Sequence, residues 1–308
     1  MTSDATGLSP ARRFLHVCYC CEDSDAVTGF FVDALAMHDK MRTPIERTSG
    51  AVLGIGETVG GATFVYDARG PRTSPAVEVQ CWIEPKLVGT PVEDPAAVGI
   101  QALGFSVPDV AAARARLIEQ GCTVVGSGAS PFGPAWTTLR DATGVTLDLV
   151  DDPSVEAGGT RMRHLRITCT DLEVSLPWYQ GLGFEVVGRA RIEDAAFVGL
   201  TEPVVADAVR LRLPDEPFEA ILVQWHSPPS HGRHYAEPYH AGLYRAAVGV
   251  DDTRAAYEAM AGAGWIFDRG PMSVELHGTP VPDMWICFLS DPDGVPFELV
   301  ERPRAAFR

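Results

Sequence analysis

The chain has 308 residues, 46% of them hydrophobic and 21% charged, with 25 basic against 41 acidic side chains and a net charge of −16. That much apolar surface can offset chain entropy, so disorder as the main state is excluded, and the longest apolar runs, such as residues 51–55 and 246–250, are far too short to span a bilayer. The acidity argues against a nucleic-acid partner, whose phosphates need a concentrated positive field, and would steer a cationic ligand favourably. The length corresponds to two domains of about 150 residues. The first dozen residues carry no apolar core of a signal peptide, and the seven cysteines form no CxxC pair. Reduced thiols in a cytoplasmic protein are the expectation.

The first predicted strand is Arg-Phe-Leu-His-Val-Cys-Tyr-Cys-Cys-Glu-Asp, ending at Asp23, and an amphipathic helix follows over 24–37. Alternating segments separated by Gly and Pro come next, the pattern of short antiparallel strands; Gly54-Ile-Gly56 and Gly60-Gly61 read as hairpin turns. A second unit opens near 98. Its strand places Leu103, Phe105 and Val107 on one face and Ala102, Gly104 and Ser106 on the other, and Asp109 caps an Ala-rich helix that stops at Gly121. The opening strand then recurs almost half a chain later as Arg-Met-Arg-His-Leu-Arg-Ile-Thr-Cys-Thr-Asp, ending at Asp171, with a helix over 172–182. A fourth unit begins near 241, with Ala246, Val248 and Val250 on one face, Arg245, Ala247 and Gly249 on the other, and a helix capped by Asp252. The segments ending the two halves also match: Asp-Ala-Thr-Gly-Val-Thr-Leu-Asp-Leu-Val-Asp151 and Asp-Pro-Asp-Gly-Val-Pro-Phe-Glu-Leu-Val-Glu301.

The expected class is therefore α+β: four βαβββ modules at 13–86, 98–152, 161–229 and 241–303, paired into two incomplete β-barrel domains spanning 13–152 and 161–303. The apolar face of each first strand should pack on its helix. The small or polar face suits the lining of a cavity.

The His16 and His164 strands, each seven residues before an Asp, and the closing Asp-Pro-Asp-Gly-Val-Pro-Phe-Glu-Leu-Val resemble the vicinal oxygen chelate superfamily, which contains glyoxalase I, extradiol dioxygenases, methylmalonyl-CoA epimerase, fosfomycin resistance enzymes and bleomycin-binding proteins. The resemblance covers nearly the whole chain and is more specific for fold than for reaction. It implies one metal-ligand position on the first strand and one on the last strand of each module. Those positions hold His16 and Glu78, Ala102 and Asp148, His164 and Ile221, and Arg245 and Glu298; Glu78 is placed by aligning the segments that end at Trp82 and Trp225.

With consecutive modules paired, the N-terminal half retains His16, Glu78 and Asp148, a set suited to Fe, Mn, Ni or Zn as a divalent ion. The C-terminal half retains His164 and Glu298 beside Arg245. Arg245 cannot ligate a metal and is expected to project into that cavity, where it pairs with Glu298 or clamps an anionic substrate. His277 lies in a segment similar to the one supplying a catalytic His in extradiol dioxygenases. His226, His231, His234 and His240 form a His- and Pro-rich linker.

The resemblance implies a small-molecule substrate or ligand and leaves room for a homodimer. Three functions compete. The first is a metal-dependent lyase or isomerase acting on a molecule with adjacent oxygens. The second is an extradiol-type ring-cleavage dioxygenase, which typically needs a second His. The third is a metal-free binding or drug-sequestering protein, with Trp82, Trp136, Trp225 and Trp285 as stacking walls.

Overall fold

The computed structural model describes residues 10–279 and 283–302. Four modules follow one another. The first comprises β1 (Arg13–Cys21), α1 (Ser24–Leu35), β2 (His38–Arg42), β3 (Glu46–Ser49), β4 (Glu57–Tyr66) and β5 (Ala76–Glu84). The second comprises β6 (Gly99–Val107), α2 (Val110–Glu119), β7 (Thr123–Ser130), β8 (Gly133–Arg140) and β9 (Thr146–Asp151). The third comprises β10 (Arg161–Thr168), α3 (Leu172–Leu182), β11 (Glu185–Ile192), β12 (Val205–Arg212) and β13 (Glu219–Ser227). The fourth comprises β14 (Gly242–Val250), α4 (Thr253–Gly262), β15 (Arg269–Val274), β16 (Met284–Ser290) and β17 (Pro296–Glu301).

Each of the α-helices α1–α4 starts at an aspartate in extended conformation. Asp23, Asp109, Asp171 and Asp252 accept the backbone N–H of Ala26, Ala112, Glu173 and Ala255, satisfying a donor that the first helical turn leaves without a partner. The glycine pair at 60–61 lies inside β4 rather than in a turn. The carbonyls of Cys81 and Pro44 approach so closely there that a Cβ would not fit.

The strands form two sheets. One runs β15-β16-β17-β14-β1-β5-β4-β2, with β3 also on β4; the other runs β11-β12-β13-β10-β6-β9-β8-β7. Each barrel therefore joins the first module to the fourth, or the second to the third, instead of two consecutive modules. The joints are antiparallel: β1 lies on β14 with His16 opposite Ala247, and β10 lies on β6 with His164 opposite Gly104. The reason is that a module's first strand sits at the edge of its own sheet and must be covered, yet the repeat makes all four edges alike. Residues 85–98 and 228–241 run side by side, bridged at Val88 with His240 and at Ala97 with His231, and carry the chain from one barrel to the other.

The apolar strand faces point away from the barrels into one shared core with the helices. Ala246, Val248 and Val250, and Leu103, Phe105 and Val107, are buried there, as their alternation predicts. Phe31 of α1 stands against Phe105 of β6, ring centroids 6.2 Å apart, and Tyr179 of α3 stands against Phe297 of β17 at 5.5 Å. The helices thus tie the two sheets together, and each such ring contributes about 2–3 kcal/mol by leaving water. This packing frees the inward faces for other chemistry.

Candidate active site

Along β1, β5, β14 and β17 the inward positions place His16, Glu78, Arg245 and Glu298 at one level of the first barrel. His16 Nε2 lies 3.4 Å from Glu78 Oε2 and 3.4 Å from Glu298 Oε2. Arg245 Nη2 donates to both oxygens of Glu78, at 2.9 and 2.8 Å, and its Nε donates to Glu298 Oε2 at 3.2 Å. Its Nη1 donates to the Cys18 thiol at 3.3 Å. All four residues are buried. Burial alone would raise the Glu298 carboxyl, but the hydrogen bond from His16 and the charge of Arg245 outweigh it and hold this group below its ordinary range as a carboxylate. Glu298 Oε1 accepts no hydrogen bond among the described residues.

His16, Glu78 and Glu298 form the floor of a cavity of about 360 Å³. Its walls are mostly apolar, with Met41, Phe64, Leu276, Met284 and Ile286, while Arg13, Lys40, Tyr66 and Arg302 also line it. Arg245 is not part of this lining. It holds the two carboxylates from behind.

The second barrel is filled. Asp148 and His164 have no exposed surface, and Trp136 stacks on the His164 ring at 4.8 Å. Phe197, Ile221, Val223 and Trp225 complete an apolar plug. Asp148 accepts from Arg166 Nε at 2.9 Å and Nη2 at 3.2 Å, from Thr138 at 2.7 Å, and lies 3.2 Å from His164 Nε2. Burial would raise its carboxyl, but Arg166 and His164 together drive it far below the usual range. Burial lowers His164 more than Asp148 raises it, so the imidazole is held neutral near pH 7. A Cβ on Gly104 would sit inside the His164 ring, so the small-residue face of β6 is what admits this histidine.

The structure thus regroups the residues marked in the sequence. His16, Glu78 and Asp148 do not share a cavity: Asp148 belongs to the other barrel with His164, and Glu298 takes its place. Arg245 does project into its barrel and pair with Glu298, and it also holds Glu78, which the pairing of consecutive modules hid. His277 is on the surface, its Nδ1 2.6 Å from Glu46 and its Nε2 3.0 Å from Glu275. Residues 280–282 of its segment lie outside the described residues. The linker histidines go to separate partners: His226 to Asp207, His231 to Asp94, His234 to the Tyr244 carbonyl, and His240 against the Tyr235 ring. None of the four tryptophans lines the cavity. Trp136 and Trp225 plug the second barrel, Trp82 donates to Cys20 at 3.4 Å, and Trp285 lies under the Arg254 guanidinium.

A family model described as the Glyoxalase/Bleomycin resistance protein/Dioxygenase superfamily matches residues 13–149 and 161–299. The chain belongs to this superfamily. Among solved structures it is similar to glyoxalase I from Zea mays, at 18% identity over 94% of this chain and 92% of that one, with a TM-score of 0.67. It is also similar to a putative dioxygenase from Bacillus subtilis subsp. subtilis str. 168, at 12% identity over 97% of this chain and 87% of that one, with a TM-score of 0.63. These likenesses establish the fold, with its two incomplete barrels. No match was found among curated protein sequences. Among the described residues no helix is long and apolar enough to cross a membrane.

Superfamily members commonly use divalent metals, so the floor must be tested against one. Among the described residues no three or more His, Cys, Asp or Glu side chains close into a ready cation cage. Beside His16, Arg245 engages both oxygens of Glu78. The donor chemistry nevertheless fits. One imidazole nitrogen and two carboxylate oxygens face the cavity, and the 3.4 Å spacings match donors that share an ion at about 2.1 Å. Two carboxylates against one guanidinium leave a surplus negative charge among these three side chains, which attracts a further cation.

Proposed function

We propose that the chain is a metal-dependent enzyme of the lyase or isomerase kind, acting on a small molecule with adjacent oxygens in the barrel built from the first and fourth modules. The observation that carries this reading is the convergence of His16 Nε2, Glu78 Oε2 and Glu298 Oε2 at 3.4 Å on the floor of a cavity large enough for a small molecule. These three residues would hold Fe, Mn, Ni or Zn as a divalent ion. Such an ion, when bound, polarises a substrate carbonyl and stabilises the oxyanion that forms beside it.

The chain's own groups divide the remaining work. Arg245 fixes both carboxylates in orientation and helps to keep Glu298 ionised. Glu78 has both oxygens engaged by Arg245. Glu298 keeps Oε1 unengaged, so this atom takes the proton from the carbon next to the polarised carbonyl and returns it to the neighbouring carbon or oxygen. The apolar walls exclude water and lengthen the life of the anion. A ring-cleaving dioxygenase ranks second because iron-dependent oxygen activation typically uses two imidazoles, and this floor offers one.

Elemental analysis of the purified chain tests the reading. The wild type should carry or take up a stoichiometric transition metal, and His16→Ala should lose it while remaining folded. A wild type that binds no divalent metal would overturn the metal-dependent assignment and leave a sequestering protein in its place.

A further inference from the structure

The cavity has a second polar end that the proton-transfer chemistry does not use. Beyond the apolar walls, Arg13, Tyr66 and Arg302 line the same stretch. Gly249 makes this end possible. A Cβ there would stand 3.2 Å from Arg13 Cγ and 3.5 Å from Arg302 Cβ, so the two arginine stems flank one glycine on the inward face of β14. The strand fixes Arg302: its backbone N–H donates to the Val250 carbonyl at 2.8 Å, continuing β17, and the alternation Glu298, Val300, Arg302 turns its side chain inward.

Two guanidiniums meeting in a half-buried place repel one another unless an anion joins them. Arg13 has protein partners, the Arg72 carbonyl at 3.1 Å and Glu216 at 3.9 Å. Arg302 makes no ion pair among the described residues. Burial lowers its pKa; the Tyr66 phenol and the Glu298 carboxylate oppose that, and Arg13 adds a smaller lowering. Arg13, Lys40 and Arg302 thus give this part of the lining a basic character inside a chain of net charge −16. A basic lining beside a phenol matches an anion that accepts two or three hydrogen bonds, and a planar guanidinium matches a carboxylate.

We propose that Arg302, with Arg13 and Tyr66, receives a carboxylate of the substrate, so that the substrate class is an organic acid. Its apolar body lies along Phe64 and Ile286, and its adjacent oxygens reach the floor at His16. This assignment rests on the reading of the floor given above and adds the substrate's other end.

The test uses the full chain in EDTA, which removes any dependence on metal, and calorimetric titration with 3-phenylpropionate and its neutral amide. Neither probe carries adjacent oxygens, so the measurement reports the anion end alone. The acid should bind at least about tenfold more tightly than the amide, and Arg302→Met should abolish that difference while leaving the amide unchanged. Tyr66→Phe, which removes a single donor, should weaken the acid a fewfold and serves if Arg302→Met does not fold. Equal binding of acid and amide, no detectable binding of the acid, or an acid affinity unchanged in Arg302→Met would each overturn the proposal. The metal content of the wild type and of His16→Ala is read separately, so a failure of the floor assignment is distinguishable from a failure of this one.

Discussion

Arg245 and Glu78 are joined by two hydrogen bonds from a single guanidinium nitrogen, across a joint between strands from opposite ends of the chain. Arg245→Met should leave two buried carboxylates without their cation. The expected loss of folding stability is about 3–5 kcal/mol, the usual cost of breaking a buried ion pair from one side. A divalent metal should recover part of that loss, so the rise in melting temperature on adding Mn²⁺ or Zn²⁺ should be larger for the variant than for the wild type. Equal rises would mean that the carboxylates are not available to a cation.

Asp148→Asn should behave differently from Glu298→Gln. The first removes the charge that Arg166 and His164 share in the filled barrel, and should cost several kcal/mol of stability while leaving metal content unchanged. The second should lower metal content with a smaller effect on folding. Paired elemental analysis and urea unfolding of the two variants check the contrast.

Gly104→Ala should destabilise the chain by about 1–3 kcal/mol, because the added methyl enters space that the His164 ring occupies. Adding His164→Ala should remove the clash, so the double variant should lose less than the sum of the two single changes. A double-mutant cycle of urea midpoints measures that coupling; strict additivity would show that the two residues do not meet.

His234 sets a pH dependence. Burial pushes its imidazole down to about 4, although the Tyr244 carbonyl it faces at 2.6 Å favours the protonated form. The unfolded chain binds this proton near pH 6.5 and the folded chain does not until about pH 4, so the contribution is complete above pH 6.5 and is lost as pH falls toward 4. The slope of unfolding free energy against pH in this window should include about 1.4 kcal/mol per pH unit from this group. His234→Gln should lack that component.

The four modules, their capping aspartates and the inward phase of His16, Arg245 and His164 were legible because strand alternation and the Asp caps are local signals. The pairing of Glu298 with Arg245 was legible for the same reason, since both belong to the fourth module. The partnership of modules was not. Edge strands β1, β6, β10 and β14 carry similar patterns, and nothing within a few residues of His16 says whether β6 or β14 will lie beside it. That pairing comes with long-range contacts such as Val88 with His240, at a sequence separation no local pattern encodes. The plug in the second barrel was hidden likewise. Trp136 and Phe197 come from different modules, and their meeting over His164 depends on the same pairing.

The crossed pairing makes the chain, in topological terms, an exchanged pair of half-length units held by one tether. Cutting it between residues 153 and 159 would release two fragments, each with the first strand of both barrels and neither with a complete one. His16 and Glu78 would go with one piece, Arg245 and Glu298 with the other. The nicked protein should therefore stay together under native conditions and keep its floor intact, while either fragment made alone would have two bare edges to cover and a second copy of itself as the nearest substitute.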